Sequence, residues 1–230
     1  MPRMIFTTNP GIEDIAAEEV AAKLRARIVS ADRLRGRVVA EVPEDRVYMV
    51  ETLRSIHRAR ILLGESSACP SRECLEELRS FLESLPFEEY ITPRVSFAVR
   101  AERVGSHEYT SLDVARVAGD AVIARVRSVY GERPPVNLDY PNVIIAVDVM
   151  FDRVYVSVEL GGDLSWHRRG YRVYEHPAAL KPTLAFAMIM LSGMRDSETI
   201  LDPMCGGGTI PIEALLYFED SNGILSLIHI

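Results

Sequence analysis

The stretch Asp202-Pro203-Met204-Cys205-Gly206-Gly207-Gly208-Thr209 constrains this chain more than any other. A short apolar strand is expected just before it, at Thr199–Leu201, and an apolar helix just after it, from Ile210, so it reads as a strand-to-helix turn. Glycines at such a turn let the backbone approach a ligand closely, and the helix start aims its N–H groups at that ligand. A phosphate-cradling turn needs a lysine before the threonine, where Gly208 stands instead. A dinucleotide turn needs another glycine three residues beyond Gly208, and Pro211 occupies that place. What remains has an acid, Asp202, four residues ahead of its first glycine, which suits a cationic ligand. The spacing by itself is equally compatible with a plain tight bend.

Upstream, the pattern alternates between helical and extended periods. Met4 to Thr8 predicts a strand, Asn9-Pro10-Gly11 a turn, and Ile12 to Ala26 a helix with Ile12, Ile15, Ala16, Val20 and Leu24 aligned. Val38 to Val42 predicts a second strand, Glu44 to Ser55 a second helix, and Ala59 to Leu63 a closing strand, which together make a small α+β domain over residues 1–65. A second α+β unit follows over residues 66–162. Its expected helices are Ser71 to Leu85 and Ser111 to Tyr130, its expected strands Val95 to Arg100, Val143 to Phe151 and Arg153 to Leu160. Residues 163–177 read as a polar, arginine-rich linker, and residues 178–230 open with a helix at Ala178 to Ser192 that stops at Gly193.

Composition narrows the surroundings. No apolar run is long enough to span a bilayer, and the N-terminus lacks the apolar block of a signal peptide, so a cytoplasmic protein is expected. Three cysteines make no disulfide framework, and Cys69 and Cys74, without clustered histidines, make no zinc site. The net charge of −7 opposes indiscriminate binding to nucleic acid, but local charge reverses it. Arg94 to Arg133 holds seven arginines against five acids, and Trp166 to Lys181 carries a net +3. The acids of Glu13 to Glu19, Glu41 to Glu51 and Glu73 to Glu89 have helical spacing and read as solvated faces.

DPMCGGGTIPIEA resembles the first cofactor-binding motif of the guanine-N2 RNA methyltransferases that carry a THUMP domain, with Gly207 in place of the usual serine. The block WHRRGYRVYEHPAALKPTLAFAMIML (Trp166 to Leu191) resembles that family's linker and the helix that closes over S-adenosylmethionine. SFAVRAERVGSHEYTSLDVARVAGDAV (Ser96 to Val122) is similar to the THUMP pattern of strand, turn and helix, and FTTNPGIEDIAAEEV resembles the ferredoxin-like domain that precedes it. The similarity spans nearly all of residues 4–219.

The resemblance implies an α+β protein: a ferredoxin-like domain, a THUMP domain, and the first βα unit of a Rossmann-like methyltransferase domain. It assigns Asp202, Pro203, Cys205, Gly206, Gly208 and Thr209 to S-adenosyl-L-methionine, with His176, Ala179, Leu180, Lys181 and Thr183 added from the closing helix. Met204 and Ile210 are expected to pack, and Cys205 to be a small packed thiol. Arg100, Arg103 and His107 bracket the THUMP turn, where the family meets the single-stranded 3′ end of tRNA; the alternative is a strand edge neutralised by Glu102 and Glu108. Arg168, Arg169 and Arg172 form a compact cationic run suited to an RNA backbone. Trp166 and Tyr171 either stack a base or pack between domains.

The family's Asn/Asp-Pro-Pro-aromatic loop, which holds the guanine amine against the methyl donor, is absent: Pro134-Pro135 is flanked by Arg133 and Val136. The implied function is therefore N2-methylation of a tRNA guanosine by a longer, monomeric, metal-free protein, with these 230 residues inactive alone. The rival expectations are a noncatalytic tRNA-binding adaptor and a ribosomal RNA methyltransferase. The ending LSLIHI (Leu225 to Ile230) resembles translated sequencing-adapter DNA and is expected to be foreign.

Overall fold

The computed structural model describes residues 1–162, 165–166, 168–171 and 179–219. Among them the chain is a mixed α/β protein whose strands β1 (Arg3–Thr8), β2 (Arg27–Ser30), β3 (Arg37–Glu41), β4 (Ile56–Ser67), β5 (Phe97–Val104), β6 (Val143–Met150) and β7 (Arg153–Leu160) form a seven-stranded sheet in the order β2-β3-β1-β4-β7-β6-β5. Two compact units are present: Phe6–Arg58 with Leu164–Ile230, and Pro2–Ile5 with Ala59–Asp163. Strands β1 (Arg3–Thr8) and β4 (Ile56–Ser67) run from one unit into the other. The His176, Arg172 and LSLIHI expectations lie outside the described residues.

In the first unit, helix α1 (Glu13–Leu24) follows the turn at Gly11, whose φ of +100° excludes most side chains. It stops two residues earlier than expected because Arg25 enters the left-handed region at φ 52°. The chain then extends into β2 (Arg27–Ser30), which pairs antiparallel with β3 (Arg37–Glu41) and is tied by Arg27 to Glu41. Four half-exposed residues carry too little pattern for the sequence to reveal β2. The expected helix at Glu44 to Ser55 is instead a 3-10 helix at Glu44–Thr52, closed by i→i−3 bonds such as Arg46 N to Pro43 O (2.9 Å) and Leu53 N to Val50 O (3.2 Å).

Two acids assigned to a solvated face are core residues. The Glu13 carboxylate accepts from Gly11 N (2.9 Å) and Gly36 N (2.6 Å). Glu19 accepts from Arg54 N (2.8 Å), Ser55 N (2.8 Å) and Ser55 Oγ (2.5 Å), and so pins the exit of the 3-10 helix. Backbone amides left without carbonyl partners by turns are satisfied here by carboxylates, which outweighs the cost of burying the charge.

The second unit is built on β4, β5 (Phe97–Val104), β6 (Val143–Met150) and β7 (Arg153–Leu160). β5 and β6 run parallel across the connection made by α3 (Ser111–Tyr130), while β6 and β7 form an antiparallel hairpin and β7 pairs antiparallel with β4. α3 has the limits its sequence predicts. Thr110 and Asp113 form a reciprocal capping box, and Gly131 ends it at φ 77°. Helix α2 (Cys74–Glu83) and α3 cover a core of Leu82, Phe87, Phe97, Val122, Ile145 and Val156. A Cβ added at Gly64, beside the bulge of β4, would lie 2.8 Å from Leu85 Cδ2 and 3.1 Å from Phe81 Cζ, so a larger residue there requires those side chains to shift.

Cys69 is joined to Cys74 across a Cα–Cα distance of 6.1 Å, so the cysteines do provide one short disulfide loop. Thr199–Leu201 makes no strand: a strand persists only through cross-strand hydrogen bonds, and none of the described strands runs beside it.

Candidate functional site: the glycine turn and its clamps

Helix α4 (Pro182–Ser192) begins with Lys181 at its N-cap and Pro182 in its first turn, and ends where Gly193 takes φ 65°. Helix α5 (Thr209–Glu219) packs against it through Ile189, Ala214 and Phe218, with the Phe186 and Tyr217 rings edge to face at 5.6 Å. The glycine turn lies immediately before α5. An Asp202 carboxylate oxygen accepts from Met204 N (3.1 Å), which starts the bend, and Gly208 N donates to Cys205 O (2.7 Å), which tightens it. Gly206 (φ 51°) and Gly208 (φ 73°) occupy the left-handed region, and Gly208 O already accepts the first helical bond from Ile212 N (2.9 Å). Cβ atoms added at Gly206 or Gly207 would meet nothing within 4 Å, so the outer side of the turn is open to a ligand.

A cavity of about 660 Å³ adjoins the turn, lined by Met188, Ile189, Thr199, Ile200, Asp202 and Ile210 among others. That volume lies in the range of small-molecule sites, roughly 300–1,000 Å³. Of the expected cofactor residues Asp202 alone lines it among the described residues, half-buried; Pro203 is exposed, Cys205 and Gly208 are half-buried, and Thr209 is buried. Met204 was expected to pack, yet it is 89% exposed, because the bend made by Asp202 turns it outward. Ile210 packs as expected beside Ile189 and Phe218.

The closing-helix candidates separate. Ala179 and Lys181 are exposed and Leu180 is half-buried. Thr183 is fully buried, and its hydroxyl accepts from Asn9 Nδ2 (2.8 Å). Ile12, which precedes α1, and Ile15 within it pack on Phe186 and Ala187 of α4 in the same unit. Thr183 thus stands in a joint between α4 and the N-terminal turn.

The arginines predicted for RNA are also of several kinds. In the second unit, Arg100 donates to Leu138 O (2.8 Å) and Arg103 to Gly105 O (2.8 Å). His107 Nε2 donates to Phe151 O (2.8 Å), so in the neutral ring Nδ1 is left to accept from Arg103 (3.5 Å). This makes a half-buried knot of Arg103, His107 and Tyr109 at the end of β5, with the His107 and Tyr109 rings 5.1 Å apart. In the first unit, Arg168 is exposed, whereas the adjacent Arg169 faces inward. Arg169 donates to Glu213 (3.2 Å), Trp166 O (2.9 Å) and Arg54 O (2.9 Å), and so differs in placement from a phosphate grip.

Glu213 had no part in the sequence reading. It is fully buried in the middle of α5 and takes hydrogen bonds from Arg54 (3.4 Å), Arg169 (3.2 Å) and the Tyr171 hydroxyl (2.8 Å). The signal was an acid inside the otherwise apolar run TIPIEALLYF, where a charge survives only with partners.

Residues 73–159 match the THUMP domain family, and residues 169–226 match the RMKL-like methyltransferase domain family. A tRNA (guanine(6)-N2)-methyltransferase of Archaeoglobus fulgidus is 38% identical over 215 residues, covering 93% of this chain and 53% of that protein. Among solved structures, a predicted N6-adenine-specific DNA methylase from Listeria monocytogenes superposes with a TM-score of 0.79 at 27% identity, covering 95% of this chain and 56% of the other. TrmN from Thermus thermophilus gives 0.70 at 30% identity, covering 94% and 61%. The chain spans about half the length of the curated relatives it matches. The chain therefore carries a stretch that matches a THUMP domain at residues 73–159, followed by one that matches an RMKL-like methyltransferase domain at residues 169–226.

Proposed function

We propose that the chain is the RNA-docking and cofactor-turn portion of an S-adenosylmethionine-dependent tRNA guanine-N2 methyltransferase. In this reading residues 1–65 form a ferredoxin-like domain, 66–162 the THUMP domain, 163–177 an arginine-rich linker, and 178–230 the opening of a Rossmann-like methyltransferase domain. The target is guanosine 6 of tRNA, after the name of the Archaeoglobus relative. The setting is the cytoplasm, where tRNA is found, and the protein acts as a monomer without a metal.

The observation that carries the reading is the turn at Asp202–Gly208, which opens helix α5 with Gly206 and Gly207 unobstructed in a chain that also matches THUMP. The donor set fits the cofactor. S-adenosylmethionine supplies, when bound, an electrophilic methyl group on a sulfonium centre. The Asp202 carboxylate offers an acceptor to the ammonium of its methionine end, and the turn at Gly206 and Gly208 lets the backbone come close without side-chain clash. Thr209 begins the helix whose N–H groups face the turn. On the RNA side, Arg100, Arg103, His107, Arg168 and Arg172 provide guanidinium and imidazole groups for phosphates and unpaired bases.

Calorimetric titration of the chain with tRNA, and separately with S-adenosylmethionine, tests this. Salt-sensitive tRNA binding is expected, with weak cofactor binding and no methyl transfer by these residues alone. Failure to bind any tRNA would overturn the reading. Preference for a ribosomal RNA fragment over tRNA would move the substrate to ribosomal RNA.

A further inference from the structure

Resting on the reading above, we propose that Glu213 is a positioning residue that clamps the arginine-bearing connector onto helix α5 and thereby sets where Arg168 meets RNA. Glu213 lies four residues past Thr209, about 6 Å along the helix axis from the cofactor turn. One of its carboxylate oxygens accepts from Arg169 Nε and from the Tyr171 hydroxyl, and the other from an Arg54 guanidinium nitrogen. Arg169 passes the constraint on, since its two remaining nitrogens donate to Trp166 O and Arg54 O. Arg54 in turn donates to Leu216 O (3.2 Å), back on α5. A second attachment holds the start of the connector: Ser165 Oγ and Trp166 N both donate to His57 O (3.0 and 2.8 Å). Between these attachments Arg168 is held by its backbone N–H to Ser165 O (3.0 Å) while its side chain stays exposed.

A leucine at position 213 would fill an apolar helix at lower electrostatic cost, because burying a charge is favourable only when its partners satisfy it. What the carboxylate adds is geometry. It holds two guanidinium groups and a phenol from separate segments at one point, which a nondirectional contact cannot do. Without it, Arg54 and Arg169 lose the carboxylate they share, and Arg169, carried on the connector, is no longer held at that point. Arg168 would then lose its fixed distance from the glycine turn.

The sign of the effect separates positioning from simple charge. Glu213→Gln removes one negative charge, so electrostatics alone makes tRNA bind tighter and with a steeper salt dependence. Positioning makes it bind about five- to tenfold more weakly, within the range of couplings between contacting residues. The experiment is tRNA binding by fluorescence anisotropy over a salt series, for the 230-residue chain and for Glu213→Gln, Glu213→Asp, Arg169→Lys and Arg169→Lys/Glu213→Gln. Circular dichroism and thermal melting establish that each is folded at the assay temperature. Weakened binding by Glu213→Gln, substantial recovery in Glu213→Asp, and a double variant no weaker than the worse single one are expected. Should Glu213→Gln fail to fold, Arg169→Lys carries the test, since lysine keeps the charge but lacks the forked donors, and the same weakening is expected. Wild-type binding together with variants that bind as well or tighter overturns this inference alone. A wild-type chain that does not bind tRNA overturns the functional reading and this inference with it.

Discussion

Replacing Arg60 with alanine tests how the second unit tolerates charge in its sheet. Arg60 on β4 reaches Asp148 on β6 (2.9 Å) and Glu159 on β7 (2.7 Å), and the three side chains are only 8%, 3% and 2% exposed. Two contacts near 3 Å at an effective dielectric of about 20 are worth roughly 5 kcal/mol each in gross attraction, much of which offsets the cost of removing the ions from water. The guanidinium binds its proton more tightly than usual: burial opposes this most strongly, but the attraction and hydrogen bonds of the two carboxylates outweigh it. Deleting it takes from both buried carboxylates the guanidinium they share, and the expected loss at pH 8 is about 3–5 kcal/mol. Against a total of about 5–15 kcal/mol for a typical domain, that is a large fraction. The assay is urea denaturation of wild type and Arg60→Ala at pH 8 and pH 5, with the denaturant slope checked for constancy. Buried carboxylates that lose a guanidinium partner bind protons more tightly, so in the variant they take up protons as pH falls and the penalty shrinks at pH 5. A cost below about 1 kcal/mol at pH 8, or one that does not change between the two pH values, would refute the reasoning.

Other perturbations follow from the same geometry. Gly208→Val puts a β-branched residue at φ 73°, with its Cβ 3.3 Å from Ile212 Cδ1; a loss of about 1–3 kcal/mol in stability and abolished S-adenosylmethionine binding are expected, read by thermal melting and calorimetry. Glu88 accepts two bonds from Arg125, which hold its carboxyl below the usual range, the hydrogen bond being the main cause. Its folded-state pKa is depressed, so its contribution is complete above the unfolded value near 4.3 and is lost as pH falls through the folded value. Glu88→Gln should therefore cost at most about 1 kcal/mol at pH 7 and progressively less as pH falls below the unfolded value, measured by urea denaturation across that range.

Much of the candidate site could be read from sequence because its signals are local. The glycines of the turn are needed where the backbone enters the left-handed region, at Gly206 and Gly208, and helix α5 starts at Thr209 directly beyond them. The THUMP turn was legible for the same reason, although the bonds from Arg103 and His107 to Gly105 O and Phe151 O were not. Arg168 and Arg169 show where legibility ends. They are adjacent and chemically identical, but one is exposed and the other is bound to Glu213, and nothing in their immediate sequence distinguishes them.

The residues alone determined those elements whose stabilising groups lie within a few positions of one another. Helix α3 is bounded by the Thr110–Asp113 capping box and by Gly131, and the β6–β7 hairpin by its β-branched strands. Tertiary structure decided the fate of the charged side chains and of the marginal elements. Glu213 is held by Arg54, 159 positions away, and Glu19 by Arg54 and Ser55, 35 and 36 positions away. The physical reason is that helix and turn propensities are short-range energies, whereas a buried charge or an edge strand such as β2 persists only when distant segments bring it hydrogen-bond partners.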